Sequence, residues 1–323
     1  KNKYFGVNDD LTPKQMLNKT FSFIKHRKVY YIISCAIIIA GLLFATIGGM
    51  NYGIDFTGGT TIQVEMGKEV PIEDVEKSLE AYELNPQIIY AGEGNTQIVI
   101  KTIKSLDNAA RGEIIDTLGT DFGITQEDVL ASEQFGPSVG NELKMNALKA
   151  VIIASIGMLI YIIFRFKSWK YGVTAIAGVV HDVLVVIAFY AIFGYTVNNP
   201  FIAAILTLVG YSINDTIVIF DRIRENKTLY KDKLSLAELT NLSTNQSLTR
   251  SINTSVTTIA TMLVVTIVAM VYGVNSIISF SFPMMIGLIS GTYSTICIAG
   301  PLWVWLEEKK NGGNSPKAEA AAE

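Results

Sequence analysis

Between Ser251 and Leu306 lie 56 consecutive residues without Asp, Glu, Lys, Arg or His. A helix in a soluble core has no use for so long a charge-free run, whereas about 20 apolar residues suffice to cross a hydrocarbon layer about 30 Å thick. The run is too long for one crossing and breaks at Gly273, Val274 and Asn275, which predicts two spans. Composition supports a local cause. Charged residues make up 17% of the 323 residues while the apolar share is an ordinary 50%, and soluble domains carry about 25% charge.

Four further apolar runs, 29–47, 148–164, 171–193 and 200–220, bring the expected number of spans to six. Lys and Arg set their orientation. Residues 1–28 hold seven, 165–170 three, 222–250 six and the stretch after Leu306 three, whereas the turns near Asn198 and Asn275 hold none. Both termini are therefore expected on the cytoplasmic side. The expected organisation is a cytoplasmic segment 1–28, a first transmembrane helix 29–49, an extracytoplasmic domain 50–142, transmembrane helices 2–6 within 143–306 with a cytoplasmic loop 222–250, and a cytoplasmic tail 307–323. The composition of 314–323 reads as unstructured.

The domain 50–142 is long enough to bury its own core. Alternating apolar residues mark strands at 60–66, 87–90, 96–102 and 128–135, and helical spacing marks 72–84 and 106–118. The order βαββαβ predicts an α+β ferredoxin-like sandwich inside an otherwise α-helical polytopic membrane protein.

Several function classes are excluded. Cys35 and Cys297 both sit in apolar runs, so neither a CxxC redox motif nor a Cys-based metal site exists, and there is no GxxxxGK[ST] loop for ATP. A net charge of −3 does not suit a nucleic-acid binder. The glycine cluster Gly53-Ile54-Asp55-Phe56-Thr57-Gly58-Gly59-Thr60 imitates a phosphate cradle, but a strand rather than a helix follows it.

Ionisable groups inside lipid cost about 3 kcal/mol on insertion scales, so each requires a reason. Asp215 lies six residues before Asp221 and Arg222, about 9 Å inside the boundary of the fourth span. Burial opposes its charged form and a nearby cation favours it, a tension suited to loading and unloading a proton. Arg250 opens the fifth span, with Thr254 one turn further on the same face. His181 and Asp182 lie midway along the third span. Being adjacent, they point about 100° apart, so at most one is expected to face a shared pathway. They form a candidate second polar site together with Asn214.

Four separated motifs carry a family resemblance. These are the Gly53–Thr60 cluster, Gly136-Pro137-Ser138-Val139-Gly140, the run Gly210-Tyr211-Ser212-Ile213-Asn214-Asp215-Thr216 leading into Phe220-Asp221-Arg222-Ile223-Arg224-Glu225-Asn226, and Arg250-Ser251-Ile252-Asn253-Thr254-Ser255. In order and placement they resemble the SecF branch of the SecD/SecF family, within the resistance-nodulation-division transporter superfamily. The resemblance implies a SecD partner subunit, work beside the SecYEG channel and SecA with YajC as a candidate neighbour, unfolded preproteins as substrate, membrane lipid as surroundings and no cofactor. It implies that proton or sodium motive force assists late steps of protein export. It also implies that Asp215, Arg250 and Thr254 form the proton relay, and that Gly53, Asp55, Gly58, Gly59, Gly136, Pro137, Gly140, Gly210, Asp221 and Arg222 are structural motif positions. Three rival readings remain: an exporter of lipids or small hydrophobic compounds, an intramembrane aspartyl protease using Asp182 and Asp215, and a scaffold that carries no ion.

Overall fold

The structure is a computed structural model that describes residues 21–230, 233–272 and 274–310. The expectations for residues 1–20, for Gly273 and for 314–323 lie outside the described residues. Six helical segments are long and apolar enough to span a membrane. They are α1 (Arg27–Ile47), α5 (Pro137–Phe166), α6 (Trp169–Phe193), α7 (Asn199–Tyr230), α8 (Leu236–Val271) and a last composite helix. That last helix consists of α9 (Asn275–Ser294), a π-helical turn Thr295–Ala299 and α10 (Gly300–Lys310).

Helices α7 and α8 have 32 and 36 residues. At 1.5 Å per residue both exceed the roughly 30 Å of hydrocarbon and must project beyond it. The connection 222–250, expected as a loop, is consequently helical over most of its length. Its polarity keeps it out of lipid but does not prevent helix formation: Ser235 and Glu238 make a capping box that starts α8, which satisfies two orphan N–H groups. Asn226 then ties the two projecting helices together by donating to Ser243 Oγ and Gln246 Oε1, each at 2.8 Å.

Between α1 and α5 stands the small domain. A single turn α2 (Ile54–Thr57) precedes β1 (Gly59–Glu65), followed by α3 (Ile72–Ser78), β2 (Gln87–Ala91), β3 (Gln97–Thr102), α4 (Asn108–Phe122) and β4 (Val129–Phe135). The sheet order is β2-β3-β1-β4 with antiparallel neighbours throughout. This is the split βαβ arrangement of a ferredoxin-like sandwich. Ile62, Val64, Ile98 and Ile100 face the helices and bury against Val75, Leu79, Ile114 and Leu118. The opposite face is polar, with Gln63 bonded to Gln97 and Gln97 to Glu65.

At the end of the bundle away from this domain, Lys170 is nearly buried and pairs with Glu307 at 2.5 Å, and Glu307 also takes Lys227 at 3.3 Å. This carboxylate joins α6, α7 and α10. Removing one partner of a buried pair strands the other charge. Glu307→Gln is expected to destabilise the protein by about 3 kcal/mol, measurable as a lower midpoint of thermal unfolding in detergent, and an unchanged midpoint would refute the role.

Candidate functional site

The domain is fastened to the bundle by its glycine motif. Asn51 and Gly53 bracket Val197 in the α6–α7 turn: Val197 N–H donates to Asn51 O and Gly53 N–H to Val197 O, both at 2.8 Å. Asn51 Nδ2 adds bonds to Gly194 O and Thr196 Oγ1. Phe56, 3% exposed, plugs into the bundle among Val186, Tyr190, Val197 and Phe201. The Asp55 carboxylate accepts from the backbone N–H of Asn199 at 2.8 Å. It therefore caps the first turn of α7 from another part of the chain, where the helix dipole favours an anion. One helical turn separates Gly53 from the strand, and the Gly53 N–H is spent on Val197, so this motif is a clamp and not a phosphate cradle.

Two glycines of the motifs are forced by space. A side chain at Gly59, whose φ is +148°, would put its Cβ 2.2 Å from Thr102 O. One at Gly140 would meet Phe56 O at 2.5 Å, so α5 approaches α2 backbone to backbone. Gly136 caps α5, which opens at Pro137. By contrast, a Cβ on Gly210 would meet nothing within 4 Å.

Helix α7, capped at one end by the domain, carries Asp215. Asp215 Oδ1 accepts from Ser251 Oγ on α8 at 2.8 Å, while Oδ2 is buried without a hydrogen-bond partner among the described residues. The expected contact with Arg250 is not closed. Arg250 forms no ion pair within 4.0 Å among the described residues, although its charge is near enough to act on Asp215. The donor is instead the next residue, Ser251, which faces inward and is fully buried while Arg250 is exposed. Arg250 lines a cavity of about 760 Å³ together with Asp221, Arg222, Glu225, Gln246 and Ser247. Around it, Asp221 pairs with Arg165 at 2.9 Å and Arg224 at 2.8 Å, and Arg222 holds Gln246 and Glu225. Thr254 and Asn214 are exposed, and among the described residues neither is hydrogen-bonded to Asp182 or Asp215.

His181 and Asp182 depart from expectation: both are buried, and they touch, with Nδ1 3.1 Å from Oδ1. Adjacent positions can both face inward because α6 is covered on both sides, by α1 on one and by α7 and α9 on the other. Asp182 is completely buried and accepts from Ser212 at 2.6 Å, Ser290 at 2.7 Å and Ser294 at 2.8 Å. The π-helical turn after Ser294 resets the helical phase. Ser290 and Ser294, one α-helical turn apart on α9, reach Asp182 together, and Thr295, which opens the π-helical turn, meets Thr216 at 3.0 Å. Sequence reasoning missed these serines, though Ser290 and Ser294 at i, i+4 in an apolar run and Ser212 one turn before Asp215 were available signals.

Asp182 and Asp215 hold separate sets of partners and share no hydrogen bond. That arrangement does not fit a protease, whose paired carboxylates share one proton.

Comparisons with known proteins agree with this architecture. Residues 116–309 match the family described as protein export membrane protein SecD/SecF, C-terminal, and residues 44–70 match the SecD/SecF GG motif. The chain is 38% identical to the protein translocase subunit SecF of Sebaldella termitidis, over 92% of this chain and 94% of that one. It is 35% identical to the protein translocase subunit SecDF of Bacillus subtilis, over 94% of this chain but 42% of the longer relative. A crystal structure of SecDF, a translocon-associated membrane protein from Thermus thermophilus, superposes with a TM-score of 0.75 at 33% identity, covering 91% of this chain and 39% of that one. Six apolar spans, a ferredoxin-like insert clamped by a GG motif, and near full-length similarity to translocase subunits carry one conclusion: the chain belongs to the SecF family of protein-export membrane proteins.

Proposed function

We propose that this subunit sits in the bacterial cytoplasmic membrane with both termini inside and the ferredoxin-like domain outside, pairs with SecD, and uses a proton or sodium gradient to assist late steps of export through SecYEG after SecA. The observation that carries the reading is the coupling along α7. Its midsection holds a carboxylate with one buried oxygen, Asp215 Oδ2, that has no partner among the described residues, and its first residue is bonded to the domain through Asp55. Loading an ion on Asp215 changes what Ser251 and Arg250 can hold, α7 shifts against α8, and the clamp carries the shift to the domain. The domain then alternates between holding and releasing preprotein.

Magnitudes constrain the cycle. One charge crossing 100 mV yields about 2.3 kcal/mol, and turning a 1:99 equilibrium into 99:1 needs about 5.5 kcal/mol. One ion per cycle biases the motion; several, or a pH gradient, drive it to completion.

The open faces of α7 and α8 support the partnership. Asn214, Arg250, Asn253, Thr254 and Thr257 are exposed along them, beside the bare Gly210. Polar side chains at membrane depth belong against protein rather than lipid, and the SecD half is the partner that suits them. Thr254 belongs to the relay only in that assembly.

The domain favours polypeptide over lipid. Its sheet face is polar, and a hollow of about 700 Å³ on the domain is lined by Glu73, Glu76, Lys77, Glu80 and Glu83 along with a few apolar residues. A lipid exporter would present an apolar cleft. The reading assigns transport rather than catalysis to the chain.

Asp55→Ala tests the coupling. Loss of the cap costs about 1 kcal/mol of helix stability, so the variant should accumulate and co-purify with SecD, yet lose most gradient-stimulated export in a strain lacking its own copy. Export equal to wild type would remove the clamp from the mechanism, and a scaffold role predicts that result.

A further inference from the structure

We propose that His181 and Asp182 jointly hold one exchangeable proton, a second protonation site in the bundle separate from Asp215. Four residues, Tyr30, Tyr293, Ser34 and His181, form one hydrogen-bond chain that ends at Asp182. Tyr293 Oη donates its single hydrogen to the carbonyl of Tyr30 at 2.8 Å, because a carbonyl can only accept. Ser34 Oγ, 3.3 Å from Tyr293 Oη, must then be the donor of that pair. With the Ser34 hydrogen spent, the contact from Ser34 Oγ to His181 Nε2 at 2.9 Å requires the hydrogen on Nε2. A neutral ring with its hydrogen on Nε2 has only a lone pair on Nδ1. Yet Nδ1 lies 3.1 Å from Asp182 Oδ1. A lone pair and an ionised carboxylate oxygen do not form a contact of this kind, so one further proton is shared between ring and carboxyl.

The surroundings leave that proton no other home. The hydroxyls of Ser212 and Ser290 each point at Asp182, and Ser294 divides between Asp182 and Gly291 O. The titratable group beside the dyad is Tyr293 on α9, its ring centroid 5.8 Å from that of His181, with Tyr30 on α1 packed against Tyr293 in turn. On α6 itself Lys170 is three turns away and committed to Glu307, and on α7 Asp215 is turned toward Ser251. Among the described residues no cation other than His181 touches Asp182. When the proton leaves, a single negative charge remains on a fully buried carboxylate held by serine hydroxyls from α7 and α9. Protonation of the dyad is thereby tied to the packing of four helices. Ser212 on α7 is one turn from Asp215, so the two sites act on the same helix. The assignment does not depend on Asp215 carrying the coupling ion, since the donor chain never includes it.

The test uses the full chain in lipid bilayers with ¹⁵N-labelled histidine, read by solid-state NMR across a pH series. The chain has two histidines, so His26→Gln leaves one ring, with its Nδ1 and Nε2 signals, to read. The expected result is a ring that carries hydrogen on Nε2 throughout. Nδ1 should show a shared or full proton at acid pH that is lost at alkaline pH, in step with an infrared change of a carboxyl group. Asp182→Asn should abolish that Nδ1 step and the infrared change, while Asp215→Asn should leave both. A neutral ring with hydrogen on Nδ1 at every pH would overturn the proposal, because it would donate to an ionised Asp182 with no extra proton. The wild-type spectrum decides this even if Asp182→Asn fails to fold. Persistence of the Nδ1 step in a folded Asp182→Asn would overturn it equally.

Discussion

Asp215→Asn is expected to fold, bind SecD and fail to respond to the ion gradient. The amide keeps the acceptor that Ser251 Oγ uses at 2.8 Å, so packing survives, but it cannot cycle between charged and neutral forms. One charge crossing 100 mV is worth about 2.3 kcal/mol, or roughly 50-fold in an equilibrium. Gradient-stimulated export should therefore fall by up to about that factor per coupled ion, to the level seen when the gradient is collapsed. Arg250→Met should give the same phenotype by a different route. Arg250 makes no direct bond to Asp215, so its loss removes a long-range charge rather than a packed partner. The check is export in a strain depleted of its own copy, with expression and SecD co-purification measured alongside. If both variants assemble and export normally, Asp215 is a static hydrogen-bond anchor and the subunit acts as a scaffold.

Gly59→Ala should have the largest effect on folding. The added Cβ would lie 2.2 Å from Thr102 O, at the end of the β1–β3 pairing, at a φ of +148° that an alanine disfavours. Backbone cannot step aside as a flexible side chain can, so the cost is about 3 kcal/mol or more. Strand β1 pairs with both β3 and β4, so the variant is expected to be degraded or to expose the domain to protease while the membrane helices persist. Gly210→Ala is the control, because a Cβ there meets nothing within 4 Å in this chain. Equal protease resistance of Gly59→Ala and wild type would show that the motif glycine is not required by space.

Much of this architecture is legible in the sequence, for identifiable reasons. Charge-free runs define spans because lipid penalises charge wherever it occurs, so the positions of α1, α5, α6 and α7 follow without tertiary information. The domain's strands alternate cleanly since one face is buried and the other polar. Helix limits were less accurate: the helix expected over 106–118 is Asn108–Phe122, set by the Asp107 cap and by Gly123 in the left-handed region. The helix expected over 72–84 stops at Ser78, with a 3₁₀ turn Glu80–Tyr82 and Glu83 at φ +50° beyond it. In the bundle, Asp215 and the His181–Asp182 pair stand out because an ionisable group in lipid needs a reason. Their partners do not. Ser212, Ser251, Ser290 and Ser294 look like ordinary small packing residues until the helices meet. The bond from Asn199 to Asp55 spans 144 positions and leaves no local pattern to read.

Ion loading at Asp215 is expected to move the domain through α7. The direct measurement is an electron-spin distance between a label at Glu127, exposed on the domain, and one at Phe193, exposed at the end of α6 near the clamp. Cys35 and Cys297 are replaced by serine, and the SecD complex is reconstituted in vesicles. Imposing an ion gradient should shift the distance distribution in the wild type and leave it fixed in Asp215→Asn, with Asp55→Ala blunting the shift. If the Asp215→Asn complex moves as the wild type does, ion loading at this carboxylate does not drive the domain.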